Sequence, residues 1–182
     1  MEREQEDVIL LSKMRNGDPK AFDSIFIKYY TSLLTFCCSL GLQQEQAEDC
    51  VADLFTDLWS ARDKIQIRST LKAYLFGAAR NKTNLLYRQK KIECISDTDT
   101  ALSVIDQQPQ PDELLTQKDR LDWLNSVVSR LPEQTKTVFL LRWQHQLSDN
   151  EVADLLHKSR HTVRTLLYRA VLFVHDQWKK VK

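Results

Sequence analysis

Along this 182-residue chain apolar residues recur at three- and four-residue steps, the period of amphipathic helices. After Asp18-Pro19, an N-cap acid followed by proline at the first helical position, the stripe runs Phe22, Ile25, Phe26, Tyr29, Leu33, Phe36, Cys37 and Leu40, and Gly41 stops it. A second stripe runs Ala47, Cys50, Val51, Leu54, Phe55, Leu58 and Trp59. A third helix is predicted from about Ser69 to Lys91, with Leu71, Tyr74, Leu75, Ala78 and Leu85 facing inward. With a short helix over Val8 to Met14, these form a compact helical domain spanning residues 1–92.

Residues 93–112 hold Ser, Thr, Asp, Gln and two prolines without sustained periodicity, the composition of a flexible acidic linker. A second helical domain is predicted over 113–182. One helix covers about Glu113 to Arg130, and Leu131-Pro132-Glu133 restarts the chain into another that carries Val138, Leu141 and Trp143. Ser148-Asp149-Asn150-Glu151 is a capping box, in which serine and glutamate each satisfy an otherwise unpaired backbone amide. The short helix it opens carries Val152, Ala153, Leu155 and Leu156, and after the turn His157-Lys158-Ser159 comes a helix with Val163, Leu167, Ala170 and Val174 on its buried side. Its opposite side presents Arg160, His161, Arg164, Thr165, Tyr168 and Arg169. A short helix, a tight turn and a helix with a cationic outer face make the helix-turn-helix pattern.

Composition supports an all-α fold: three glycines and four prolines are few for the turns of a β-sandwich or barrel, and 42% apolar residues suffice for a core. The formal net charge of +1 conceals segregation. Residues 43–63 hold six acids and one base, 68–91 seven bases and no acid, 92–117 six acids and no base, and 157–182 seven bases against Asp176 alone. Two cationic blocks separated by an acidic stretch suit two contacts with a polyanion. Arginine and threonine at a helix start can reach guanine edges or phosphates.

The acidic opening lacks the order of a signal peptide, and no stretch approaches a membrane span of ~18 apolar residues, so a cytoplasmic protein is expected. The four cysteines, Cys37, Cys38, Cys50 and Cys94, lack metal spacing and read as buried or idle thiols. His157 and His161 straddle the turn with no carboxylate or thiol beside them, so no metal site is expected. A glycine-rich phosphate loop, HExxH and nucleophile clusters are all missing, so neither enzymatic activity nor a cofactor is expected.

Several segments resemble the extracytoplasmic-function sigma factors, the small two-domain initiation factors of bacterial RNA polymerase. Gly17-Asp18-Pro19-Lys20-Ala21-Phe22 resembles the GDxxAF of the family's first helix pair, and Ala47 to Trp59 its polymerase-docking segment. Leu71 to Asn81 resembles the LxxYLxxIARN of the promoter-melting region. Leu131-Pro132-Glu133, Leu147 to Ala153, Thr162-Val163-Arg164 and Tyr168-Arg169-Ala170 resemble the DNA-binding C-terminal domain. The resemblance implies a sigma2-like bundle and a sigma4-like helix-turn-helix domain. It implies docking on core RNA polymerase through Asp49, Asp53 and Asp57, and a −10 promoter contact through Arg68, Lys72, Arg80, Asn81, Lys82 and Arg88. It implies a −35 contact through Arg160, His161, Arg164, Thr165, Tyr168 and Arg169, and restraint by an anti-sigma partner. The chain departs from the family at Ala52, Gly77, His157 and Leu166, where glutamine, arginine, glycine and arginine are frequent. A plain helix-turn-helix repressor or activator would explain residues 147–170 but leave the acidic helix and the basic block at 68–91 without a task.

Overall fold

A computed structural model describes residues 2–67, 69–94 and 117–180, and among them every regular element is helical. The elements are α1 (Glu2–Arg15), α2 (Pro19–Ser39), α3 (Gln44–Ser60), α4 (Leu71–Cys94), α5 (Gln117–Ser129), α6 (Glu133–Phe139) continued by a π-helical turn (Leu140–Gln144), α7 (Asp149–Leu156) and α8 (Arg160–Lys179). The fold is thus all-α. The predicted linker lies, beyond its first two residues, outside the described residues, as does Arg68.

The first four helices form around the predicted stripes of α2 and α3. Ala21, Ile25, Tyr29, Leu33, Phe36 and Cys37 are buried on α2, and Ala47, Cys50, Val51, Leu54, Phe55 and Leu58 on α3. Asp18 caps α2 by accepting the amide of Lys20 at 2.9 Å, with Pro19 opening the helix. Gly41, at φ +112°, takes the chain out of α2 in a backbone conformation that a side chain strains, and a Cβ there would also displace the Tyr87 hydroxyl, 2.5 Å away.

α1 is longer than the predicted Val8–Met14, and its packing has a polar component. Asp7 is buried, accepts from the Tyr29 hydroxyl, and pairs with Lys28 Nζ at 2.7 Å. Burial, with this carboxylate next in importance, raises the Tyr29 phenol well above its usual range, so it stays a neutral donor. Cys37 and Cys50 meet in the core between α2 and α3, in line with the expectation of buried thiols.

Two expected core positions are corrected. Leu85 is 54% exposed, because the inward face of α4 runs through Leu71, Leu75, Phe76, Ala79 and Thr83, and Leu85 lies off that line. Trp143 is 65% exposed and stacks on Phe139 with ring centroids 5.9 Å apart. The π-helical turn at Leu140–Gln144 is the reason: its wider winding carries Trp143 outward and directs His145 and Leu147 inward.

The helix-turn-helix is capped at both starts. Ser148 Oγ accepts the amide of Glu151 at 3.3 Å while Glu151 Oε2 accepts the amide of Ser148 at 2.7 Å, and Ser159 Oγ accepts the amide of Thr162 at 3.0 Å. Between them α7 ends on His157 at φ 51°, ψ 46°, the left-handed conformation in which glycine is frequent in this turn of the family. A Cβ is disfavoured there by about 1–2 kcal/mol, partly offset because glycine orders at greater entropic cost. His157→Gly is therefore expected to stabilise the protein by about 0.5–1 kcal/mol, read as a raised urea midpoint at unchanged slope.

Candidate nucleic-acid and polymerase interface

The acidic edge of α3 is outward. Asp49, Asp53 and Asp57 are all exposed, opposite the buried line of Ala47, Cys50, Val51, Leu54 and Leu58. Spacing by four places their carboxylates along one side of the helix. Beside this edge, Phe22, Phe26, Phe55 and Trp59 line an apolar groove of about 440 Å³. Asp57 also reaches α4, pairing with Lys82 at 2.7 Å.

The cations expected on α4 do not share one face. Lys72 is half-buried in a polar chamber with Phe76, His145 and Glu151. Asn81 is exposed in a separate cleft with Tyr74, Gly77 and Ala78, across which stand Asp154 and Leu155 of α7. Arg80 and Arg88 line a third cleft with Tyr87 and Glu133. Lys82 is held by Asp57. Successive residues rotate by about 100° around a helix, so cations adjacent in sequence point in different directions. Of the aromatic side chains of α4, Phe76 is fully buried, Tyr74 half-buried and Tyr87 exposed.

The outer face of α8 is as expected. Arg160, His161, Arg164, Tyr168 and Arg169 are exposed, Thr165 is half-buried with its hydroxyl donating to His161 O at 3.0 Å, and Val163 and Ala170 are buried behind. Leu167 and Val174 are only partly buried. Arg164 is not idle: its Nε donates to Asp149 Oδ2 at 2.9 Å, and Arg142 Nε pairs with the other carboxylate oxygen at 2.7 Å. The Arg164 hydrogen bond, reinforced by the nearby charge of Arg142, holds the Asp149 carboxyl below its usual range. Asp149 was read in the sequence only as part of a capping segment; an acid in the first turn of α7 followed fifteen residues later by an arginine carries no signal of their contact. Among the described residues no group of histidine, cysteine and acidic side chains could hold a metal ion.

The assembly of an exposed acidic helix edge, a long cation-bearing helix and a capped helix-turn-helix has counterparts among known proteins. Residues 25–92 match the model of sigma-70 region 2 and residues 121–174 that of sigma-70 region 4. The RNA polymerase sigma factor CnrH of Cupriavidus metallidurans is 25% identical over 93% of this chain and 93% of its own. The structure of CnrH in complex with the cytosolic domain of CnrY shares the fold, with a TM-score of 0.71 at 21% identity over 97% of this chain and 99% of that one. So does the sigma factor RpoE in complex with the anti-sigma factor NepR from Bartonella quintana, with a TM-score of 0.71 at 21% identity over 88% of this chain and 98% of that one. The chain belongs to the sigma-70 family, in its extracytoplasmic-function branch. It is a transcription initiation factor that directs RNA polymerase to promoters.

Asp149 supports the α7 start through its charge at the helix N-terminus and through two arginines. Asp149→Ala is expected to cost about 1–2 kcal/mol in chemical denaturation at neutral pH. Its carboxyl is depressed in the folded protein, so this contribution is complete above the usual carboxylate range and fades as pH falls below it. The gap between wild type and variant should accordingly close toward acid.

Proposed function

We propose that three helices divide the work of promoter engagement, within a polymerase-docking and −10 domain over 1–92, a linker over 93–112 and a −35 domain over 113–182. The exposed edge of Asp49, Asp53 and Asp57 docks on a cationic helix of core polymerase. The carboxylates lie outward along one side of α3, with the aromatic groove of Phe22, Phe55 and Trp59 beside them to exclude water from the contact. Arg68, Lys72, Arg80, Asn81, Lys82 and Arg88 serve the −10 element. The separate directions of Lys72, Arg80, Asn81 and Lys82 suit a strand that winds across α4 better than a duplex lying along it. Asn81, exposed in a cleft beside Tyr74, is the residue placed to hydrogen-bond an unstacked base.

α8 reads the −35 element. The observation that carries this reading is its amino-terminal turn, capped by Ser159, which sets Arg160, His161, Arg164 and Arg169 outward from the buried Val163 and Ala170. Thr165 and Tyr168 border the same face. Such a turn inserts into a major groove with its arginines toward base edges and its backbone amides toward phosphate. The protein performs no covalent chemistry of its own and acts in the cytoplasm. An anti-sigma factor restrains it, as the RpoE relative was solved with NepR. A stand-alone repressor or activator leaves the outward acidic edge of α3 without a partner.

Abortive transcription with bacterial core polymerase on a genomic promoter pool tests the reading: the protein should make initiation sequence-selective. Reversing Asp49 and Asp53 to lysine should abolish initiation and leave duplex binding by the helix-turn-helix intact; normal initiation by that double variant overturns the docking assignment. Arg164→Ala should cost about 1–3 kcal/mol of specific affinity if it meets a base, and otherwise lower the slope of binding against salt by about one.

A further inference from the structure

The residue least explained by promoter engagement is His145. It is 6% exposed, its Nε2 is buried without a hydrogen-bond partner, and no DNA or polymerase role involves it. Its ring lies 4.4 Å from Phe76 of α4 and 5.3 Å from Phe36 of α2, so a side chain of the C-terminal half is inserted into the core of the N-terminal half. Other observations join α7 to α4. Thr70, just before α4, donates to Glu151 of the α7 capping box. Leu155 of α7 packs against α4 at Gly77, where a Cβ would stand in van der Waals contact, 3.4 Å from its Cγ. Glu151 and Asp154 line the cleft that holds Tyr74 and Asn81.

From these contacts we infer that the structure is a closed state in which α7 stands across the face of α4 meant for the separated promoter strand, and that His145 is the latch holding it there. The inference rests on the assignment of that face under the proposed function. Two carboxylates of α7 stand where strand phosphates would run, and Leu155 occupies the space above Gly77. The departure at Gly77 bears on this: a side chain there starts in contact with Leu155, and the long cationic chain of an arginine would have to be seated between α4 and α7, which favours their separation. Promoter engagement requires α7 to leave, opening the narrow cleft in which Asn81 and Tyr74 stand to the width of a strand and freeing the helix-turn-helix to reach a distant element.

The latch is sensitive to protons. The groups facing His145 are Lys72 and Thr70 on the α4 side, Glu151 on α7, and Asp7, Lys28 and Tyr29 across the chamber. Burial, with the charge of Lys72 adding to it, pushes the imidazole down to about 4 in the closed state. In the open state it returns to its ordinary value near 6.5. The closed form therefore binds fewer protons, and closure is unaffected above pH ~6.5 and weakens as pH falls from there toward 4. Between pH 7.5 and 5 the closing equilibrium falls about 30-fold. Glu151 is depressed in the closed state despite its burial, by the Thr70 hydroxyl and the Ser148 amide and hydroxyl, so its contribution is lost only below the usual carboxylate range and adds to opening there.

Small-angle scattering of the full chain, with no polymerase present, decides the matter. Wild type should be compact at pH 7.5 and expand between pH 6.5 and 5, while His145→Phe, which keeps the ring and removes the proton site, should stay compact at both. Gly77→Arg should be expanded at pH 7.5 with helical circular dichroism unchanged. Leu155→Glu, placed outside the α1–α4 core, gives the same test should Gly77→Arg lose helicity. Wild type as expanded as these variants at pH 7.5, or both variants as compact as wild type, overturns the closed state; a pH response that survives in His145→Phe overturns the latch. In abortive initiation the opened variants should reach half-maximal activity at about tenfold lower protein concentration, since only the open fraction is competent. Lack of initiation by wild type and opened variants alike overturns the promoter reading, while scattering still decides closure.

Discussion

Phe76 bears the packing of both halves of the molecule. Fully buried on α4, its ring meets Phe36 edge-on at 5.2 Å and His145 at 4.4 Å. Seating this one side chain fixes the rotation of α4 about its axis, and every other residue of the helix then has its direction assigned by the helical period. Lys72 is turned into the chamber, Asn81 into the cleft under α7, Arg80 toward Glu133 and Lys82 toward Asp57. The cationic block is therefore distributed around the helix by its hydrophobic anchor. A second constraint follows, because Phe36 of α2, Phe76 of α4 and a histidine from the other half pack on one another. Anything that withdraws His145 leaves Phe76 facing water.

Much of this was legible in the sequence where the governing physics is local. The stripes of α2 and α3, the Asp18-Pro19 start, and the reciprocal capping of Ser148 and Glu151 depend on neighbours within a helical turn, and the structure has them at the expected positions. Leu85 and Trp143 failed for a related reason. Both were placed by extending an ideal period, which drifts over the length of α4 and is broken by the wide turn after α6. His145 could not have been found that way, since nothing in the sequence marks a turn that adds a residue. The distribution of the α4 cations was hidden differently: a count along the chain records charge and discards angle.

Contacts between distant residues were not legible at all, and they bear most on the candidate site. Glu151 was read as half of a capping box, a task it performs with one carboxylate oxygen, Oε2, while the other takes the Thr70 hydroxyl from the far half of the molecule. Asp149 likewise adds two arginine partners to its place in the first turn of α7. Acids that fix local structure thus also carry tertiary contacts, and the sequence shows only the local half of each role.

The same economy bears on how the cations proposed to meet DNA are held in the free protein. Arg164, 63% exposed in its side chain, is paired with Asp149, and Lys82 with the largely exposed Asp57. Each pair has one partner open to water and one largely covered, Asp149 at 17% exposure and Lys82 at 27%, so screening is partial and each pair contributes on the order of 1 kcal/mol. A phosphate that replaces such a carboxylate gains a charge-assisted bond at little cost, and the release of its counterions favours the exchange. His145 is the opposite case: buried without a partner for Nε2, it has no cheap exchange available, and its withdrawal exposes an aromatic pocket. Cations on the outside are thus ready to change partners, while the contact that holds the halves together resists change until a proton or a binding partner supplies the difference.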